Sequence, residues 1–244
     1  MFARVSSTND VLREAATRGA PAGSTVLADL QTAGRGQHGR AWEATPGRSL
    51  LMSVLLRTEA AAAPGTAPIR VGLAAAGAIE AVCGIAVQLK WPNDLIVDGR
   101  KLGGVLCEAS TTGSTTSIVA GVGINVAQRE DDFSEEIRRT ATSLWLAGCP
   151  DVRRATLAGQ VLQRLLAFDE RIARPMDAGE LAGYAARDAL LGHPILVDDR
   201  PAGIAAGLTP QGELRVRTDA GVATVHTGRV RIAGSRAVAQ ERAP

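Results

Sequence analysis

Lysine is almost missing from this 244-residue chain: of 27 basic residues only Lys90 and Lys101 are lysine, and they stand close together. Arginine supplies the rest. Against 25 acidic residues the formal net charge is +2, too small to make nucleic acid the main partner, and the arginines are spread along the chain apart from local pairs such as Arg138-Arg139 and Arg153-Arg154. Cysteine is scarce and odd in number (Cys83, Cys107, Cys149), which excludes a disulfide framework and implies reduced, buried thiols in a cytoplasmic protein. The histidines, His38, His193 and His226, are equally scattered, so no Cys/His set has zinc-ligand spacing. The polar Ser6-Ser7-Thr8-Asn9-Asp10 interrupts the N-terminus too early for a signal peptide, and no apolar run is expected to reach membrane-spanning length. Internal repeats and heptad arrays are also missing.

What is present is ample core material. An apolar content of 45% over this length supports one large domain, or a main domain with a small appendage. The two neighbouring lysines have two accounts: a coding preference for arginine, or one site that needs a compact ammonium where a planar guanidinium does not serve.

Ser7 with Asp10 makes a capping-box-like start to a short helix closed by Gly19. Residues 24–30 and 48–57 read as strands, and between them the stretch "GRGQHGR" (34–40) crowds three glycines, two arginines and a histidine together. Its Gly-x-Gly-x-x-Gly spacing matches the dinucleotide fingerprint, but that fold needs a helix to open at the glycines, and this loop joins strand to strand. No Gly-Lys-Ser/Thr follows, so a P-loop is excluded as well. The remaining reading is an anion nest built from loop backbone.

Residues 67–84 read as a helix buried under a sheet, 87–97 as a strand interrupted by Pro92, and Asp98-Gly99 as a tight hairpin returning the chain toward 110. With the glycine-dotted strand 117–127, these segments carry Lys90, Lys101 and Asn125 into one sheet neighbourhood. Helical patterns follow at 132–148, 156–173 and 177–191, and short alternating runs beyond 192 have the pattern of a small β-barrel.

Four segments, "STND" (7–10), "QTAGRGQHGRAW" (31–42), "KWPNDLIVDGRKLGGVLCE" (90–108) and "GVGIN" (121–125), together resemble the biotin protein ligases, of the single-function type without an N-terminal DNA-binding domain. The resemblance implies an α+β fold: a mixed β-sheet catalytic domain flanked by helices over residues 1–191, a small SH3-like β-barrel over 192–234, and a disordered tail over 235–244. It implies a two-step reaction in which biotin's carboxylate attacks the α-phosphate of ATP, giving biotinyl-AMP and pyrophosphate, after which a lysine of a biotin carboxyl carrier domain takes the acyl group. ATP and Mg²⁺ are the implied cofactors, biotin and the carrier domain of a carboxylase the implied partners, with no DNA, no membrane and a monomer or weak homodimer in the cytoplasm. Bringing a carboxylate onto a phosphate costs about 4 kcal/mol per unit pair at about 4 Å and an effective dielectric of about 20. Fixed positive charge must offset it.

By that resemblance Gln31 meets the biotin ureido group, Arg35 with the backbone of Gly36 and Gln37 folds over biotin and the phosphates, Arg40 meets phosphate with its fork, and Trp42 offers adenine an aromatic face. Ser7, Thr8 and Asn9 border biotin, or else only cap the helix. Lys101, on a rigid strand leaving the hairpin, is the expected main catalytic residue, with Arg35 beside it. Lys90 and Asn93 are expected near the phosphates. Asp94 either holds Mg²⁺ or is a structural cap, and Asn125 faces ribose or phosphate, or else satisfies loop backbone.

Two departures matter. Only six residues precede Ser7, too few for a DNA-binding element. The family loop most often reads Gly-Arg-Gly-Arg, and here Gln37 replaces the second arginine, at a position associated with retaining the adenylate. The rivals are a lipoate or octanoate ligase, which usually shows consecutive glycines before a His-Asp pair, and a non-catalytic biotin-sensing module, which has no need of two lysines in this setting. Gln37→Arg is expected to slow release of biotinyl-AMP several-fold in a rapid-dilution assay; equal or faster release would count against the assignment of that position.

Overall fold

The computed structural model of the chain describes residues 1–59 and 65–234. The expected tail, 235–244, lies outside the described residues. Six strands form the larger sheet, in the spatial order β1 (Thr25–Ala28), β2 (Ser49–Glu59), β6 (Thr115–Asn125), β5 (Arg100–Thr112), β4 (Asp94–Val97) and β3 (Gln88–Lys90). Every pairing between these strands is antiparallel; the parallel component of the expected mixed sheet enters as isolated bridges such as Val5 with Gln31 and Lys101 with Ala141.

The central strands β2 and β6 are apolar along one whole face and along the part of the other that a helix covers. Leu50, Met52, Val54 and Leu56 of β2, with Ile118, Ala120, Val122 and Ile124 of β6, join the main core beneath α2 (Thr66–Cys83) and α3 (Arg154–Leu166). On the opposite face Leu55 and Val119 form a smaller cluster with Val26 and with Leu12 of α1 (Thr8–Thr17). α1 covers only part of that face. What it leaves bare becomes the floor of a cavity.

Contrary to the sequence expectation, α2 is long and apolar enough to cross a membrane by length and composition; most of it is buried inside the protein, as a core helix requires. The 87–97 run is also not one interrupted strand. β3 and β4 pair antiparallel, Lys90 opposite Asp94, so Trp91-Pro92-Asn93 is itself a hairpin turn. The helix expected at 132–148 is replaced by a 3-10 turn at Glu130–Asp132 and further turns. The backbone there is committed elsewhere: the Thr140 carbonyl accepts from Lys101 N, the Thr142 carbonyl from Asn125 Nδ2, and Ser143 Oγ donates to the Gln128 carbonyl. The pattern at 156–173 is divided between α3 and a 3-10 turn at Asp169–Ala173, and that at 177–191 forms only α4 (Ala178–Ala185), started by an Asp177/Glu180 capping box. Ser7 does sit at the N-cap of α1, but its side chain makes no capping bond. The three cysteines are free and half-buried; Cys83 and Cys149, distant in sequence, meet, and burial followed by their hydrogen bond pushes the Cys83 thiol up to about 12.

The C-terminal strands form a second, antiparallel five-stranded sheet in the order β10 (Gly221–Val225), β9 (Leu214–Thr218), β8 (Arg200–Leu208), β7 (Pro194–Val197), β11 (Val230–Ile232). Its inner residues Ile195, Ala205, Leu214 and Val216 belong to the same core cluster as the larger sheet. Buried Trp91 links the two directly, donating Nε1–H to the Gly212 carbonyl at 2.9 Å. Trp91→Phe strands that carbonyl at a cost of ~1–3 kcal/mol. Its thermal midpoint is expected to fall by several degrees; an unchanged midpoint would show that the bond between the sheets is dispensable.

Candidate active site

A cavity of about 590 Å³ opens on the uncovered face of the larger sheet, a size suited to a small molecule. It brings together every residue singled out from the sequence. Ser7, Thr8 and Asn9 enter from the start of α1, Gln31 from the segment after β1, and Arg35, Gly36, Gln37, Arg40 and Trp42 from the glycine loop. Lys90, Asn93 and Asp94 come from the β3–β4 hairpin, Lys101 from β5 and Asn125 from the end of β6.

One neighbourhood is neutral and closely hydrogen-bonded. Thr8 donates to Gln31 Oε1 from both its backbone N (2.7 Å) and its Oγ1 (2.9 Å). Ser53, buried in β2, has its Oγ 2.7 Å from Thr8 Oγ1 and 2.6 Å from Asn9 Oδ1. Asn9 Nδ2 donates to Glu108 Oε2 at 2.7 Å, which fixes the orientation of the amide. Such a set of oriented hydroxyls and amides suits a polar, uncharged heterocycle. The sheet makes room for it with glycine: a Cβ at Gly121 would overlap Asn9 Oδ1 and lie 3.1 Å from Asn9 Cγ, and a Cβ at Gly123 would lie 2.9 Å from the Trp42 ring. Trp42 Nε1 is buried without a hydrogen-bond partner, an orphan donor in the wall.

A second neighbourhood is charged. Lys101 Nζ lies 2.5 Å from Asp94 Oδ1 and 5.9 Å from the Trp42 ring centroid. The Lys101 backbone is braced by segment 140–142, donating to Thr140 O at 2.7 Å and accepting from Thr142 N at 2.9 Å. Burial lowers the Lys90 pKa; Asp94 opposes the shift, while the positive charges of Lys101, Arg231 and Arg40 add to it. Asn93 pairs with Val105, Nδ2 to O at 2.8 Å and Val105 N to Asn93 O at 3.0 Å, which squares the hairpin against β5. Asn125 borders the cavity while its amide donates to Thr142 O (2.9 Å) and accepts from Gln128 (3.0 Å). Asp94 is the acidic group beside Lys101, and among the described residues no three His, Cys, Asp or Glu side chains cluster as a metal cage.

The glycine loop folds on itself. Gly36 N donates to Arg40 O (2.8 Å) and Trp42 N to Gly34 O (2.9 Å), around a 3-10 turn at Gln37–Gly39, so the Gly36 amide is engaged within the loop. Arg35 borders the cavity, yet its guanidinium is committed to Asp10, Nη1 to Oδ2 and Nη2 to Oδ1 at 2.7 Å each. That fork holds the Asp10 carboxyl below its usual range and raises the Arg35 pKa further.

Several lining residues went unread in the sequence. Ser53, buried beneath Thr8 and Asn9 rather than on the wall, was legible as the one polar residue in the run "LLMSVLL", whereas Gly121 and Gly123 belong to the strand whose glycines were read as marking close approach of ligand or backbone. Arg229 and Arg231, from the second sheet, also border the cavity and both pair with Asp199. Phe133, Ile137 and Thr140 close another side from the turn-rich segment. No local signal in either stretch marks these residues.

The biotin/lipoate A/B protein ligase family matches residues 1–125. A biotin–acetyl-CoA-carboxylase ligase of Mycobacterium tuberculosis is 34% identical over 226 residues, covering 88% of this chain and 81% of that protein. The bifunctional ligase/repressor BirA of Bacillus spizizenii is 39% identical over 172 residues, 68% of this chain; the match spans only about half (51%) of that relative's length. Among solved structures, the biotin protein ligase from Aquifex aeolicus in complex with biotin and ATP superposes with a TM-score of 0.79 at 29% identity, covering 96% of this chain and 98% of that one.

Gly121→Ala pushes on an Asn9 that Ser53 and Glu108 hold on both sides. For biotin, the ligand the sequence resemblance implies, affinity by calorimetric titration is expected to fall at least about tenfold, the worth of one hydrogen bond. Unchanged affinity would remove Asn9 from the binding surface.

Proposed function

The chain belongs to the biotin/lipoate A/B protein ligase family, and we propose that it is an ATP-dependent ligase that activates biotin as biotinyl-AMP and transfers it to a lysine of a biotin carboxyl carrier domain. The observation that carries this reading is the pairing, within one cavity, of a neutral cluster (Thr8, Asn9 and Gln31, backed by buried Ser53) with a charged cluster (Lys101, Lys90, Arg40, Asp94). A ureido ring suits the first and a phosphate chain the second, with Leu106, opposite Gly121, and the Trp42 ring offering apolar wall to an alkyl chain.

In the first step a carboxylate oxygen bonds to the α-phosphorus of ATP while the bond to the pyrophosphate oxygen breaks. Lys101, on a braced strand, supplies charge where the two anions meet. In the second step an acceptor lysine amine bonds to the acyl carbon and AMP departs, the amine losing a proton. Asp94 is the protein oxygen suited to a Mg²⁺ that arrives with the nucleotide. Asp94, already paired with Lys101, would be the residue to hold such an ion, which would supply positive charge to the phosphates. The family includes lipoate ligases, and the neutral hydrogen-bonding cluster favours biotin over a simple fatty acid.

Pyrophosphate release with biotin, lipoate and octanoate as alternative acids tests the assignment. Biotin alone is expected to support release, and Lys101→Ala to lower the rate by about 10²–10³. Release with octanoate or lipoate in preference to biotin would reassign the substrate, and no release with any of the three would remove the ligase reading.

A further inference from the structure

We infer that Gln128 is a positioning residue: from behind the cavity wall it fixes the direction of the Asn125 amide, and so decides which hydrogen-bonding groups that wall offers a ligand. The kinetic consequence, a part in holding the nucleotide, rests on the ligase reading; the fixed amide does not.

Asn125 closes β6 on the face that carries the cavity, and Ser49 stands directly opposite it on β2. The Thr142 carbonyl can only accept, so the end of the Asn125 amide that meets it at 2.9 Å must be Nδ2. That turns Oδ1 toward Gln128, where only an N–H can answer it, and Gln128 Nε2 does so at 3.0 Å. The second Nε2 hydrogen goes to Ser49 Oγ. Each orientation in this chain is dictated by the one before it, starting from a backbone group that cannot be reversed. An amide has two donor hydrogens and two acceptor positions, so after these bonds Asn125 keeps one N–H and one lone pair.

Gln128 is itself held in place. It is 2% exposed, its carbonyl accepts from Ser143 Oγ at 2.7 Å, and Ser143 Oγ in turn accepts from Leu146 N at 3.1 Å. The carbonyls of Asn125 and Val126 take the amides of Leu144 and Trp145, so backbone also laces these two stretches together. Gln128 Oε1, by contrast, is buried without a partner among the described residues. An unpaired buried acceptor costs about 1–3 kcal/mol, so this side chain is placed for what its nitrogen does. The chain of bonds also runs onward: Thr142 N donates to Lys101 O at 2.9 Å. The residue that sets the Asn125 amide thus also braces the strand bearing Lys101, and the two side chains border the cavity in one fixed relation.

Gln128→Glu keeps the shape of the side chain and replaces its donating nitrogen with an acceptor. With that carboxylate ionised, neither orientation of Asn125 satisfies both neighbours, because Oδ1 must face either the carboxylate or the Thr142 carbonyl. Burial raises the pKa of the introduced carboxyl, and once protonated it donates as the amide did. KM for ATP is expected to rise about tenfold at pH ~8, the worth of one hydrogen bond, and to return toward wild type as the pH falls to ~6, with KM for biotin little changed. The charged groups attached to this stretch, Arg48 through Ala127 O and Arg154 through Ser49 O, are common to both proteins, so wild type over the same range is the control. Gln128→Met, which keeps the length and removes the donor, is expected to raise KM for ATP alike at every pH. In the ligand-free protein, the magnetic resonance signal of the Asn125 side-chain amide is expected to shift in Gln128→Glu at the higher pH and to regain its wild-type position at the lower. An Asn125 signal identical in both proteins, an ATP KM that rises without pH dependence in Gln128→Glu, or a lowered thermal midpoint with both KM values unchanged would each overturn the inference. Failure of both variants to fold would overturn it too, by making Gln128 a residue of the fold alone. If wild-type protein releases no pyrophosphate with biotin, the ligase reading fails and the Asn125 signal still decides the positioning.

Discussion

A side chain at Gly121 or Gly123 would close this site, and that steric constraint orders the rest of the architecture. Alternation along β6 sends Ile118, Ala120, Val122 and Ile124 into the main core, so the intervening positions face the other way. There Val119 packs under α1, and the two glycines that follow let Asn9 and then Trp42 descend onto bare backbone. Ser53, on the neighbouring strand opposite Gly121, supplies the hydroxyl beneath Thr8 and Asn9. One strand thus builds a hydrophobic layer on one side and a polar floor on the other. Its glycines cost stability as a strand and return it as space for a ligand.

The charged side of the cavity obeys a second constraint: cations gathered for a polyanion must be tolerable without one. Acidic partners meet it. Asp94 takes Lys101, Asp10 and Glu108 take Arg35, and Asp199 takes both Arg229 and Arg231. An incoming phosphate chain therefore exchanges one set of charge pairs for another, a smaller change than meeting bare cations, and this exchange favours selectivity for strongly charged ligands over raw affinity.

Much of this was legible in the sequence because the signals are local. The glycine loop, the Asp98-Gly99 hairpin, the lysines and the strand segments were read from residues within a few positions of each other, and each named site residue borders the same cavity. The misreadings share a cause. Residues 132–148 carry a helical pattern, yet Asn125 and Lys101, close in space and distant in sequence, claim that segment's carbonyls. Likewise Pro92 reads as an interruption until the pairing of Lys90 with Asp94 makes it a turn, and Asp10 reads as a cap partner until Arg35 arrives from 25 residues away. Arg229 and Arg231 could not be linked to the site at all, since only the packing of the second sheet on the first brings them there.

The scarcity of lysine gains physical content from the same geometry. Lys90 sits half-buried, its pKa lowered first by that burial and further by Lys101, Arg231 and Arg40, with Asp94 pulling the other way. A guanidinium at this position stays charged at any accessible pH and must be partly desolvated near three other cations. An ammonium is compact and yields its proton more readily when crowded, so it lowers the cost of the ligand-free state. A phosphate chain supplies negative charge that opposes this lowering and favours the charged form of the same group. Near Lys101 the argument differs: its ammonium lies 2.5 Å from one Asp94 oxygen and 5.9 Å from the Trp42 ring centroid, a compact charge on a flexible stem that can follow a developing anion. In a chain otherwise served by arginine, the two positions that require those properties are the two that carry lysine.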